Sequence, residues 1–184
     1  MKKLIIISLG VFIAILLVVA IIWSITTGRS LDDCFFGACC GILYLTGRFL
    51  GFTYKEICVI VNIYMEAGLC LLSALWVTWA SIKCFTHRNT LGNGLLMATG
   101  IIYGIAYIGG FMWLCQHYAM PMNDAFDLCY RELIQLAIDY HTTYNNVNYA
   151  IFILLFLAIT IGNTLLVKLL DGIFMHKRKN AYFV

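Results

Sequence analysis

A single carboxylate stands in the middle of the apolar stretch TYKEICVIVNIYMEAGLCLLSALW, which begins at Thr53. On a helix, Asn62 lies one turn before Glu66 on the same face. At ~1.5 Å per residue, Glu66 lies about 18 Å along the axis from Tyr54, near the middle of a hydrocarbon core of about 30 Å. An ionised carboxylate is costly at that depth, so we expect Glu66 to be either protonated or paired.

The partners of Glu66 must be neutral, because no other apolar run carries Lys, Arg or His at a comparable depth. The neutral polar side chains at that depth on other runs are Tyr103, Tyr107, Thr160, Asn163 and Thr164. Our candidate intramembrane polar site consists of Glu66, Asn62, Tyr103, Asn163 and Thr164. Two interpretations stay open. The carboxyl either joins helices through hydrogen bonds or responds to protons or cations.

The elements that must position these residues are membrane helices. The 184 residues are 62% hydrophobic and 11% charged, whereas soluble domains have about 25% charged residues. Gly100-x-x-x-Gly104 would permit a close approach of two helices. Four runs are long enough to cross a bilayer, at residues 4–25, 54–82, 94–115 and 147–170. We therefore predict an all-α integral membrane protein, with residues 1–184 forming one domain of four transmembrane helices.

Two long connections lie between these runs. Residues 123–140 place apolar side chains on one helical arc and charges opposite, which is typical of an interfacial helix. Residues 32–52 are apolar almost all round, and they form either a second, deeper interfacial helix or a re-entrant piece. Eight Lys and Arg residues lie on the side of the termini and four on the other. This bias predicts cytoplasmic termini in a plasma membrane of the bacterial (inner) type.

An ungapped match at an offset of 90 relates residues 1–89 to residues 90–184, with 12 identities in 94 positions. Thr53 and Thr143 each open a Thr-Tyr pair before a span, and Thr53 with Glu56 matches a capping box. Each half would cross the membrane twice. We therefore interpret the halves as candidate parallel repeats about an axis along the membrane normal, with any ligand site near that axis.

Cysteine is the other residue type that could carry chemistry. Three of the eight lie in or at the end of the second apolar run, where a free thiol behaves as a small hydrophobe. On the outer side, a thiol can form a structural disulfide, such as Cys39–Cys129, or exchange disulfides. The candidate outer thiols are Cys34, Cys39, Cys40 and Cys129.

Four spans, inside termini and outer cysteines resemble the layout of membrane disulfide oxidoreductases that pass electrons to quinone. Those enzymes need a redox pair such as C-x-x-C, whereas Cys39 and Cys40 are adjacent and no C-x-x-C occurs in the chain. The histidines lie at span ends or in loops, without haem or zinc spacing. We predict no cofactor, no metal and no catalytic residue.

These observations predict a non-enzymatic polytopic membrane component. It is either a small transporter or channel protomer or an accessory subunit of a larger membrane complex, and the alternative is a membrane thiol–disulfide oxidoreductase. The expected partners are the lipid bilayer and either a second copy or other membrane subunits. Four spans make a narrow pore, so transport would favour a dimer. The net charge of +3 comes from residues beside the spans, and no nucleic-acid module is visible.

Overall fold

The computed structural model describes residues 2–87 and 90–181, and the side chains of residues 14–86 and 90–172. Within these residues the chain forms helices and no strand. In chain order the elements are α1 (Lys2–Thr27), α2 (Leu31–Leu50), α3 (Tyr54–Cys58), the π-helical turn π1 (Val59–Met65), α4 (Glu66–His87), α5 (Leu91–His117), α6 (Met122–Asp139), α7 (Tyr144–Asn148), the π-helical turn π2 (Tyr149–Leu155) and α8 (Phe156–Ala181).

Within the described residues, four continuous helices are long and apolar enough to cross a membrane, namely Leu31–Leu50, Tyr54–Thr86, Leu91–His117 and Tyr144–Gly172. The last three match three of the predicted spans. α2 enters this set by length and composition, although we predicted an outer helix there. The predicted span 4–25 falls in α1, where the side chains of residues 1–13 lie outside the described part and Ala14–Thr27 is a shorter apolar helix.

The two long helices that begin at Tyr54 and Tyr144 start in the same way. Thr53 Oγ1 accepts a hydrogen bond from the Glu56 N–H at 3.3 Å, and Glu56 Oε2 accepts the Thr53 N–H at 2.7 Å. The predicted capping box is therefore confirmed. Thr143 Oγ1 accepts the Asn146 N–H at 3.3 Å without a returning carboxylate. Each threonine satisfies a helix-terminal N–H that has no intrahelical partner.

One turn later, both long helices widen into a π-helical turn. π1 and π2 are each seven residues long and begin 90 positions apart. The Glu66 N–H donates to the carbonyl of Val61, five residues earlier. π-Helical turns are rare and often occur at functional sites. Glu66 is the residue that directly follows π1, so the widened turn sets where its side chain points.

α5 packs closely along α4 through the predicted glycine pair. A Cβ added to Gly100 would lie 2.6 Å from Ser81 Cβ, and one added to Gly104 would lie 2.5 Å from Thr78 Oγ1. Thr78 Oγ1 also donates to the Gly100 carbonyl at 2.8 Å. Any larger residue would push these helices apart. α8 also packs against α4, and the core between them is formed by Val77, Ala80, Cys84, Val167 and Leu170.

The first half and the second half contact each other through exchanged pairs of rings. Tyr54 in α3 packs edge-on against Phe126 in α6, with centroids 6.0 Å apart. Tyr144 in α7 packs edge-on against Phe36 in α2, with centroids 5.8 Å apart. Each residue of one pair lies 90 positions from a residue of the other. The long helix that begins at Tyr54 therefore starts against α6, and the one that begins at Tyr144 starts against α2.

Polar contacts follow the same exchange. Lys55 Nζ lies 2.6 Å from Asp127 Oδ1, which joins α3 to α6. Asn145, which stands 90 positions after Lys55, donates from Nδ2 to Asp33 Oδ1 at 3.0 Å and joins α7 to α2. Both contacts are exposed to solvent, so each contributes only ~0.2–1 kcal/mol. These two contacts nevertheless link α6 and α2 to the starts of the long helices.

Candidate functional site

A large cavity of about 510 Å³ lies between π1 with the start of α4, α5, α6, and π2 with the start of α8. Its lining is mainly aliphatic and aromatic. Among the described residues that line it there is no Lys, Arg or His. Its side chains with polar oxygen or nitrogen atoms are those of Asn62, Glu66, Tyr107, Tyr118 and Glu132. The electrostatic character of the cavity is therefore acidic within an apolar wall.

A small cavity of about 120 Å³ lies beside it, beneath the exchanged ring contacts. Nineteen residues line this small cavity, and eighteen of them form nine pairs separated by 90 positions. The pairs are 36/126, 39/129, 40/130, 43/133, 54/144, 58/148, 59/149, 62/152 and 63/153. The one lining residue without its counterpart is Glu66, which corresponds to Phe156. The acid therefore breaks a lining that is otherwise matched position by position.

The Glu66 carboxyl is shared by both cavities. Its side chain is half-buried, and among the described residues it forms no hydrogen bond or ion pair. Within the same part of the chain, no fully buried side-chain oxygen or nitrogen lacks a partner, so the carboxyl oxygens are accessible from the cavity space. A carboxyl in this position can exchange a proton or bind a cation that enters the cavity.

The predicted polar site divides into separate groups. Tyr103 O–H donates to Asn163 Oδ1 at 2.6 Å, and Asn163 Nδ2 donates to Ser73 Oγ at 2.8 Å. Thr164 Oγ1 donates to the backbone carbonyl of Thr160 at 2.8 Å. These three predicted members are therefore engaged away from the cavities. The other two members share both cavity linings, and no hydrogen bond joins them within the described residues.

A second carboxylate, which sequence reasoning missed, lines the large cavity where the end of α5 meets α6. Tyr118 O–H donates to Glu132 Oε2 at 2.6 Å, and His117 Nε2 lies 2.8 Å from Glu132 Oε1. Tyr64 O–H donates to the Tyr118 carbonyl at 3.0 Å. These contacts connect π1, the end of α5 and α6. The sequence shows the pair His117-Tyr118 at the end of an apolar run, but it does not indicate that Glu132 contacts both side chains.

The charges around Glu132 set its protonation. Burial raises the pKa of the Glu132 carboxyl, but hydrogen bonds from Tyr118 and His117 and the nearby charges of His117 and Arg131 lower it further, so the net pKa lies below the ordinary value. Burial and the hydrogen bond to Glu132 raise the pKa of the Tyr118 hydroxyl. Tyr118 therefore stays a neutral donor, and Glu132 stays an ionised acceptor near neutral pH.

Three of the four candidate outer thiols gather at the small cavity. Cys39, Cys40 and Cys129 line it together with Cys58, whereas Cys34 is only 1% exposed and packs inside the protein. None of the eight cysteines, all within the described residues, forms a disulfide bond. Burial raises the pKa of the Cys129 thiol, which lowers its thiolate fraction at neutral pH.

The described residues contain no group of three or more His, Cys, Asp or Glu side chains that could hold a metal ion. No protein-family model, curated protein or solved structure matches this chain. The described residues therefore offer an accessible carboxyl in an apolar cavity, together with a tyrosine-bound carboxylate in the same lining.

Proposed function

We propose that this protein is a non-enzymatic transporter or channel protomer in which Glu66 binds a proton or a cation inside the large cavity. The observation that carries the proposal is the Glu66 carboxyl itself. It lines both cavities and has no hydrogen-bond or ionic partner among the described residues. Acids at membrane depth are costly and are a default indication of a functional site. An occupant of the cavity would supply the partner that the protein does not.

A purely structural role for Glu66 has less support. A carboxyl that joins helices needs donors or acceptors on the neighbouring helices. The candidate Tyr103 donates to Asn163 instead, and Asn163 in turn donates to Ser73. Thr164 is satisfied by its own helix. The accessible carboxyl therefore favours binding over helix joining.

We infer that the chain contains two parallel repeats, residues 1–89 and 90–184, about a pseudo-two-fold axis along the membrane normal. The exchanged ring contacts support this. Tyr54 packs against Phe126, and the residues 90 positions away from them, Tyr144 and Phe36, pack against each other. Such a reciprocal pair of contacts is the pattern of a two-fold interface. The hydrogen bond between Ser73 and Asn163, which stand 90 positions apart, has the position expected on such an axis. The paired lining of the small cavity agrees.

The proposed arrangement has four spans and two outer interfacial helices. α2 and α6 both lie over the starts of the long helices, and α6 is not among the helices apolar enough to cross a membrane. If the halves are equivalent, α2 is an outer helix as well, and α1 is the first span. The eight-to-four Lys and Arg bias then favours cytoplasmic termini in a plasma membrane of the bacterial type.

Proton flux into lipid vesicles tests this function. Purified protein is reconstituted with an internal pH dye, and a membrane potential is imposed with valinomycin and a potassium gradient. We expect a flux above that of protein-free vesicles, loss of that flux in Glu66→Gln, and retention in the exposed control Asp124→Asn. Equal flux in wild type and Glu66→Gln would reject the site. No flux in wild type would reject transport by this chain alone and favour the accessory subunit, which co-purification in mild detergent tests.

The thiol–disulfide alternative rests on one observation, the gathering of Cys39, Cys40, Cys58 and Cys129 at the small cavity. Thiol counting by mass spectrometry, with and without reductant, separates the two functions. Two thiols that appear only after reduction, and that a quinone re-oxidises, would establish the alternative. Eight thiols in both conditions would reject it.

A further inference from the structure

We propose that the large cavity binds a lipophilic organic monocation, an amine or onium ion with an aromatic or hydrocarbon body, with its positive charge at Glu66. This inference rests on the proposed function, because it names the substrate class of the same cavity.

The charge of the cavity selects against anions. Glu66 and Glu132 both line it, and no Lys, Arg or His does so among the described residues. Glu132 is held by Tyr118 at 2.6 Å and by His117 at 2.8 Å. Its charge is therefore partly neutralised, and Glu66 is left as the available counter-charge. In an apolar surrounding, one carboxylate attracts one positive charge strongly because solvent screening is weak.

The size and wall of the cavity fit an organic molecule better than a bare ion. A volume of about 510 Å³ falls within the ~300–1,000 Å³ typical of small-molecule sites. A metal cation needs about six oxygen ligands, whereas the described lining offers polar oxygen or nitrogen atoms only at Asn62, Glu66, Tyr107, Tyr118 and Glu132, the last two of which are hydrogen-bonded to each other. The wall also presents aromatic rings, which attract cations through their faces, at Tyr107, Phe111, Phe152 and Phe156.

One difference between the two halves favours a cation that carries a single charge. Phe156 occupies the position that corresponds to Glu66, 90 residues later, and both side chains line the large cavity. One half therefore supplies a carboxylate and the other supplies a ring. A cation with one charge and a bulky apolar body would place its charge on the first and its body against the second.

Equilibrium dialysis of the full-length protein in mild detergent tests the ligand class. The probes are radiolabelled tetraphenylphosphonium, a lipophilic monocation, and tetraphenylborate, an anion of nearly the same size and shape. We expect one tetraphenylphosphonium per chain and at least about tenfold weaker binding of tetraphenylborate. We expect Glu66→Gln to weaken tetraphenylphosphonium binding by at least about tenfold, and Asp124→Asn to leave it unchanged.

A second variant guards against misfolding. Glu66→Asp keeps the charge and should bind tetraphenylphosphonium more tightly than Glu66→Gln, with each variant checked for a monodisperse, helical state. Equal binding of the two probes, equal affinity of wild type and Glu66→Gln, or no tetraphenylphosphonium binding by folded wild type would overturn the ligand class. Proton flux that depends on Glu66 without tetraphenylphosphonium binding would reject this class alone. Binding without flux would instead reject transport.

Discussion

Residues 53–66 and 143–156 begin with the same local structure and end with different chemistry. Each opens with a threonine cap, continues through five α-helical residues and then widens into seven π-helical residues. The first ends at Glu66, which is accessible from both cavities, and the second ends at Phe156, which lines only the large one. The same backbone conformation therefore positions the side chains of Glu66 and Phe156, and only the residue type makes the first one ionisable.

The two regions share the residues that join the halves and differ at Glu66. The ring pairs that join the halves keep Phe36, Phe126, Tyr54 and Tyr144. Farther along, Asn62 corresponds to Phe152 and Glu66 corresponds to Phe156, in each case 90 positions later. The ring residues are thus shared between the two regions, whereas Asn62 and Glu66 have no polar counterparts. We expect substitutions at shared positions to affect stability and those at Glu66 to affect binding.

The largest effect is expected from moving the acid between the two regions. Glu66→Phe removes the charge and should reduce tetraphenylphosphonium binding by at least about tenfold. If the two positions are equivalent, adding Phe156→Glu to that variant should restore a substantial part of the binding. Equilibrium dialysis on both variants measures this. A doubly substituted protein that is folded but binds no better than Glu66→Phe would show that the positions are not interchangeable.

A smaller effect is expected for the exchanged ring pairs. Double-mutant cycles on Tyr54 with Phe126 and on Tyr144 with Phe36, each residue changed to Leu, should give coupling free energies of about 0.5–1.5 kcal/mol. Equivalent geometry predicts that the two couplings agree within about 0.5 kcal/mol. Thermal or denaturant unfolding in mild detergent provides the values. One strong coupling beside one of zero would break the equivalence of the two regions.

A pH effect of about 1 kcal/mol is expected from Glu132, because its hydrogen-bonded carboxylate is partly exposed. Its folded-state pKa lies below the ordinary value because donors hold the ionised form. The stabilisation is therefore complete above the ordinary pKa of a glutamate and is lost as pH falls through the lower, folded-state pKa. Glu132→Gln should flatten this acid-side loss in melting temperature. An identical pH profile in the variant would exclude Glu132 as the source.

The smallest effect is expected at the two caps. Thr53→Ala should destabilise the protein by about 1 kcal/mol, because it removes both hydrogen bonds of Thr53 Oγ1, which accepts from the Glu56 N–H and donates to Glu56 Oε2. Thr143→Ala should cost about 0.5 kcal/mol, because one backbone N–H bond is lost there. Unfolding measured side by side in the same detergent tests the order. A larger loss of unfolding free energy in Thr143→Ala than in Thr53→Ala would contradict the order expected from the hydrogen bonds at the two caps.

Much of the secondary structure follows from the sequence because its signals are local. Apolar length predicted three of the helices able to cross a membrane, and the Thr53–Glu56 spacing predicted the capping box. The glycine pair predicted the close approach of α5 to another helix. α2 shows the limit of such signals. Its length and composition suit a span, whereas its packing against α7 resembles that of an outer helix.

By itself, the sequence determined that Glu66 lies deep in an apolar helix, because hydropathy and helical rise are properties of one segment. Only the tertiary structure decided what surrounds the carboxyl. Tyr103 donates to Asn163 and Asn163 donates to Ser73, whereas Glu66 lines a cavity. The pairing of Tyr118 with Glu132 was equally hidden. The physical reason is that contacts between helices depend on the rotation and crossing of each helix, which side chains from several segments set together.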